Sequence, residues 1–189
     1  MRLEVYPLSK DRWSDLVELF SRPGGAIVRG CWCMYYRRSG RSGKITSKMN
    51  KNALHSLVRG GYVPGLIGYE QGRPVGWISL GRREDYAKLQ RSPVMKPVDD
   101  KRVWSIVCFF VDAQYRGRGI AEQLLKAAID YARSRGVTLL EAYPVDKPMR
   151  SHPDFMWFGA KKMYDRAGFK EVARRKEARP VVRKSLRPR

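Results

Sequence analysis

Trp13, Leu16, Val17 and Phe20 fall at i, i+3, i+4 and i+7, the spacing that lines one face of a helix. The stripe stops at Pro23-Gly24-Gly25, where a helix must end. Ahead of it, "LEVYPL" reads as a strand. Met49, Ala53, Leu57 and Val58 predict a second helical face, closed by Gly60-Gly61. The pattern then changes period. "GLIGYE", the turn "QGR" and "PVGWISL" predict a β-hairpin. "VWSIVCFFV" is almost continuously apolar, as in a strand buried on both faces. Ile120, Leu124, Ala128 and Ala132 predict a helix that stops at Gly136, and "VTLLEAYPV" is the next strand. Strand, helix and strand in that order imply a right-handed βαβ unit late in the chain. A last helix is expected from Trp157 to Arg166, closed by Gly168, and "FKEVARR" and "RPVVRKSL" form a terminal strand pair with Pro180 at a strand start or edge. "AIVRGCWCMYY" follows neither period, and Gly81 to Arg102 holds only a short amphipathic patch at Tyr86 and Leu89. These elements give an α/β fold in one domain, 1–189: a central mixed β-sheet with flanking helices, and no repeat or linker to divide it.

Composition narrows the class. With 43% hydrophobic residues in 189, the chain can bury a core without disulfides or metal. No apolar run approaches the roughly 18 residues of a membrane span, and no signal core opens the sequence, so a cytoplasmic protein without membrane partners is expected. Cys108 sits in an apolar run, while Cys31 and Cys33 are one residue too close for a C-x₂-C zinc hook. His55 and His152 form no metal-binding helix motif, so no metal site is expected. The charge of +21, from 39 Lys+Arg against 18 Asp+Glu, attracts polyanions and phosphorylated cofactors. The cations are scattered apart from one cluster at the C-terminus, so nucleic acid stays in view without being favoured.

The chemistry concentrates in "VDAQYRGRGIAEQLL". A buried strand that delivers Gly117 and Gly119 to a helix N-terminus makes an anion trap, because free N–H groups and the helix dipole face outward there. Arg116 and Arg118 add positive charge. The Walker pattern fails, since Ile45 follows Lys44 where Ser or Thr belongs. The dinucleotide pattern fails because Glu122 stands where its third glycine would be. Gln-x-x-Gly-x-Gly after a strand and before a helix fits an acyl-CoA pyrophosphate loop.

On these residues the chain resembles the GNAT superfamily of acyl-CoA-dependent N-acetyltransferases. "VWSIVCFFVDAQYRGRGIAEQLLKAAIDYARSRG" is similar to the family's central strand, loop and helix. "AKKMYDRAGFKEV" is similar to its last helix and strand through Ala160, Tyr164, Gly168 and Phe169. "GCWCMYYR", "PVGWISLGRREDY" and "EAYPVD" resemble a bacterial subgroup. The resemblance implies a GNAT-like fold, with the late βαβ unit binding acetyl-CoA as co-substrate. Phe110 and Val111 would pair with the pantetheine arm through their backbone. Gln114 and the run Arg116, Gly117, Arg118, Gly119, Ile120 and Ala121 would cradle the pyrophosphate. Tyr164 would be the general acid that protonates the CoA thiolate. The chain departs from the family at Trp157, where an asparagine often begins the last helix.

The acceptor side is less defined. Cys33 and Tyr35, within the aromatic run from Cys31 to Tyr36, could line an acceptor pocket or pack a core. Glu141 shares a strand face with Leu139 and Tyr143 and could be a base or a buried structural group. Glu84, Asp85, Asp146, His152 and Asp154 border the same region. The leading expectation is an N-acetyltransferase that moves acetyl from acetyl-CoA to a primary amine on a small molecule or a protein. An RNA-directed acyltransferase, motivated by the basic tail from Arg174 and the loop from Arg37 to Lys51, and a non-catalytic CoA-binding sensor are the alternatives. A homodimer is left open.

Overall fold

The computed structural model describes residues 3–39, 45–148 and 155–186. Seven strands form one sheet: β1 (Glu4–Pro7), β2 (Gly65–Glu70), β3 (Arg73–Arg82), β4 (Trp104–Val111), β5 (Leu139–Ala142), β6 (Lys170–Arg174) and β7 (Pro180–Ser185). Their order is β1-β2-β3-β4-β5-β7-β6. Only β4 and β5 run parallel, as the βαβ reading requires. The helices are α1 (Trp13–Ser21), α2 (Ala26–Cys31), α3 (Ser47–Arg59), α4 (Ala87–Gln90), α5 (Ile120–Ser134) and α6 (Lys161–Arg166). Among the described residues no helix is long and apolar enough to cross a membrane.

The apolar stripes pack as two layers, one on each sheet face. Leu16, Leu19 and Phe20 of α1 meet Trp32, Leu54 and Trp77 on one side. Leu124, Leu125, Ala128 and Ala132 of α5 meet Ile78, Ile106 and Leu140 on the other. Each fully buried Leu contributes about 1.5–3 kcal/mol relative to exposure. Gly76 of β3 lets α5 come close, since a Cβ there would stand 2.9 Å from Leu124 Cδ1. The hairpin turns at Gln71 and Gly72, with φ 49° and 74°, the pair of positive angles that a two-residue primed turn demands. Pro180 opens β7, where its missing N–H costs no ladder bond.

Two helical expectations need correction. On α3 the buried residues are Asn50, Leu54 and Val58, whereas Met49 is 49% exposed. The helix is turned by a polar anchor that an apolar pattern ignores: Asn50 donates from Nδ2 to Gly30 O (2.9 Å) and accepts from Arg38 Nε (2.7 Å). The last helix begins at Lys161, not Trp157. Backbone groups just before it bond outward to strands: Phe109 N–H donates to Trp157 O (2.6 Å), Val145 N–H to Gly159 O (2.8 Å), and Ala160 bridges Val145. A segment whose carbonyls are used sideways cannot close helical turns. The unassigned "AIVRGCWCMYY" forms α2, which ends with Trp32 and Cys33 in the left-handed region at φ 46° and 51°.

Candidate active site

β4 pairs with β5 only from Trp104 to Ile106, against Leu140 to Ala142. Beyond that point the strands part. A bulge at Val107, where Ser79 faces Cys108 and Leu80 faces Ile106, bends β4 away just as pairing ends. The gap opens into a cavity of about 600 Å³, a size suited to a cofactor-scale ligand. Its wall comes from the end of β4, the start of α5, the α1–α2 turn and the segment before α6, with Ile27, Phe109, Met156 and Trp157 among its apolar residues.

The loop after β4 is built around Asp112. Its carboxylate accepts from Gln114 N (3.0 Å) and from Arg22 (2.9 Å), and Arg22 also donates to Pro74 O (2.6 Å). Neighbouring strand, loop and helix end are thus locked to one buried group. Gly117 and Gly119 follow at φ 79° and 75°, and nothing lies within 4 Å of where a Cβ on either would stand. Gly119 is the N-cap of α5 and supplies no side-chain cap, so the first N–H groups of a fifteen-residue helix face open space. That space is the cradle that a pyrophosphate needs. The residues fit the group.

The predicted cofactor residues divide. Phe110, Val111, Arg116, Gly117, Gly119, Ile120 and Ala121 line the cavity, whereas Gln114 and Arg118 do not. Gln114 is exposed, held by its backbone to Asp112. Arg118 lies 3.8 Å from Glu70 and over the Tyr115 ring. Arg116 turns back, donating from Nε to Val111 O (3.0 Å). Phe109 N–H already points to the β5 side, so strand alternation turns the Val111 backbone the same way and the Phe110 backbone towards β3. Of the two, Val111 presents its edge to the gap. Cations that pattern reading missed stand at the rim: Lys147, Lys161, Lys162 and Arg166. They lie on a loop and a helix far along the chain, with no local signal linking them to the glycines.

Tyr164 is fully buried and is not part of the cavity wall. Its hydroxyl donates to Phe158 O (3.0 Å), and its ring meets Phe109 and Phe169 edge-on. Burial holds its pKa well above the ordinary phenol value, which makes proton donation to a thiolate more uphill. The acid role implied by the resemblance finds no support in this arrangement, because the proton points into the core.

Glu141, a candidate on the acceptor side, lies off the main cavity wall. It is completely buried, paired with Arg83, with Arg183 Nε (2.8 Å) and with Tyr143 OH (2.6 Å). Cys33 is also core: Trp77 Nε1 donates to its sulfur (3.2 Å), and the Cys108 thiol, followed by burial, holds its pKa well above the ordinary range. Tyr35 differs, being 55% exposed on a second cavity. Of the bordering carboxylates, Asp146 reaches the main cavity and pairs with Arg174 (2.7 Å). Glu84 is exposed and Asp85 accepts from Tyr62 OH (2.7 Å), both off that wall. His152 and Asp154 lie outside the described residues.

A parallel pair that splays at a bulge, with a glycine turn feeding a helix below the gap, is the arrangement that the resemblance implies. The sequence model of the acetyltransferase (GNAT) family matches residues 32–169, and the chain belongs to that family. Solved structures agree on the fold. An N-acetyltransferase from Staphylococcus aureus Mu50 superposes with TM-score 0.56 at 16% identity, covering 99% of this chain and 100% of that one. The PaiA N-acetyltransferase of Thermoplasma acidophilum, in complex with coenzyme A, gives 0.55 at 16%, covering 98% and 100%. YncA of Salmonella typhimurium, described as a putative acetyltransferase with its cofactor acetyl-CoA, gives 0.55 at 14%, covering 99% and 95%. No curated protein matches the chain.

Proposed function

We propose that the protein transfers an acetyl group from acetyl-CoA to a primary amine in the cytoplasm. The observation that carries the reading is the open two-glycine turn at the start of α5, set directly beneath a cavity in the gap between β4 and β5. Acetyl-CoA would bring the acetyl group as a thioester, already activated towards an amine. Gly117, Gly119, Ile120 and Ala121 would hold the pyrophosphate through backbone N–H groups. Lys147 and Lys162 add positive charge at the rim. The outward edge of Val111 receives the pantetheine arm. Met156 and Trp157 exclude water from the gap, and positioning supplies most of the acceleration such a reaction requires. Asp146 is the candidate carboxylate on the wall for the acceptor's proton. For the proton that the leaving thiolate needs, resemblance favours Tyr164 and geometry does not.

The test joins binding to turnover. Acetyl-CoA at about 100 times its Kd should stabilise the wild type by about 2.7 kcal/mol, raising Tm by roughly 5–11 °C. Gly119→Val, strained at φ 75° and filling the cradle, should weaken acetyl-CoA at least about tenfold. An amine panel should then release free CoA thiol only when an amine is present. Stabilisation by ATP or NAD in place of acetyl-CoA would overturn the loop assignment. Binding without amine-dependent release would leave a sensor.

A further inference from the structure

A second cavity, of about 440 Å³, lies beyond the aromatic run, with Tyr35, Tyr36, Arg38, Lys88, Arg91 and Met95 on its wall. No carboxylate contributes to that wall among the described residues. Several buried or half-buried arginines elsewhere are neutralised, Arg22 by Asp112, Arg83 by Glu141 and Arg183 by Glu141 and Asp99, whereas Arg38 is not. Arg38 uses Nε on the neutral amide of Asn50 (2.7 Å), and Lys88 places its ammonium 3.5 Å from the Tyr35 ring centroid. No ion pair within the described residues includes Arg38, Lys88 or Arg91. Three like charges around one hollow repel, and an anion placed between them relieves that cost.

The hollow is held open by groups that do not line it. Arg83 donates to Met95 O (2.6 Å) from its buried pair with Glu141, and Arg175 donates to Lys96 O (2.7 Å) and Pro97 O (3.0 Å). Lys88 N–H donates to Tyr36 O (3.1 Å), fixing α4 against the tyrosines. The binding groups are therefore set before a ligand arrives. The Tyr36 ring also packs on Phe158, centroids 5.4 Å apart, and Phe158 stands between Trp157 and Gly159 of the main cavity.

We infer that the second cavity binds a compact anionic group, a carboxylate or a phosphate, on a small-molecule ligand. Binding there does not depend on the acetyltransferase reading. The shared chemistry is a compact anion held by a guanidinium and an ammonium.

Calorimetric titration of two matched pairs tests it: L-phenylalanine against L-phenylalaninamide, and O-phosphoethanolamine against ethanolamine. Each is titrated into CoA-saturated wild type and into the Lys88→Ala/Arg91→Ala double variant. At least one probe carrying the anionic group should bind roughly tenfold or more tighter than its partner lacking that group, and the double variant should lose that advantage. The pair that shows the advantage assigns carboxylate or phosphate. Both replaced side chains reach solvent, so Tm and its acetyl-CoA response should hold. Arg91→Asp, which reverses one charge, repeats the test independently. Probes lacking the anionic group binding as tightly as both that carry it, or affinity unchanged in the variants, would overturn the subsite. Charge-dependent binding without any amine acetylation would overturn the proposed function and leave the subsite standing.

Discussion

Tyr164 donates its hydroxyl to the Phe158 carbonyl, and phenylalanine in its place removes that one bond while keeping the ring packing. As a buried hydrogen bond it is worth about 1–3 kcal/mol once the carbonyl is left unsatisfied. Tyr164→Phe should therefore lower Tm by roughly 2–12 °C and leave kcat within a few fold of wild type. Stopped thiol-release assays and a melting curve on the same preparation decide the matter. A kcat loss of about 10²–10⁴ at unchanged Tm would restore the general acid. Residue identity carried the glycines well, because a positive φ at a helix start is a demand few other residues meet. It left the tyrosine open. Both an acid and a core ring satisfy the same helical spacing, and only the direction of one O–H bond separates them.

The β5 strand shows the same ambiguity one level up. Glu141 sits on a strand paired on both edges by β4 and β7, and its carboxylate, packed under the sheet face, meets two arginines in place of solvent. Breaking such a pair from one side leaves uncompensated buried charge, at a cost of about 3–5 kcal/mol. Glu141→Gln, nearly isosteric, should lower Tm by roughly 6–20 °C, with acetyl-CoA affinity of the folded fraction preserved. Lost turnover in a variant with wild-type Tm would instead place Glu141 in the chemistry. The elements themselves were readable: the hairpin, the buried β4, α5 up to Gly136 and the terminal strand pair follow their periods. Two of the exceptions share a cause. At α3 and before α6, polar or backbone bonds to distant segments override the local apolar pattern.

At the scale of the whole molecule the charge of +21 is the property most easily misread. Among the described residues the cations are divided among a cavity rim, a second hollow and buried pairs rather than gathered into one aromatic-lined groove of the kind that tracks a nucleic-acid strand. Any RNA binding should therefore be weak, insensitive to sequence and largely lost between about 50 and 200 mM salt. Filter binding with unrelated RNAs across that range, together with the absorbance ratio of the purified protein, measures it. Affinity that persists at the higher salt and favours one sequence would revive the RNA-directed reading. The chain by itself determined the order of strands and helices, the βαβ unit and the glycine turn, since each is set by spacing, by conformational freedom or by connection length within a few tens of residues. Tertiary structure alone decided that β4 and β5 part beyond Ile106, that Tyr35 faces a hollow while Cys33 packs against Trp77, and that Lys147 and Lys162 line the same cavity as Gly119. Those facts depend on which segments meet in space. No local pattern of apolar and polar residues encodes a meeting between parts of a chain that lie far apart along it.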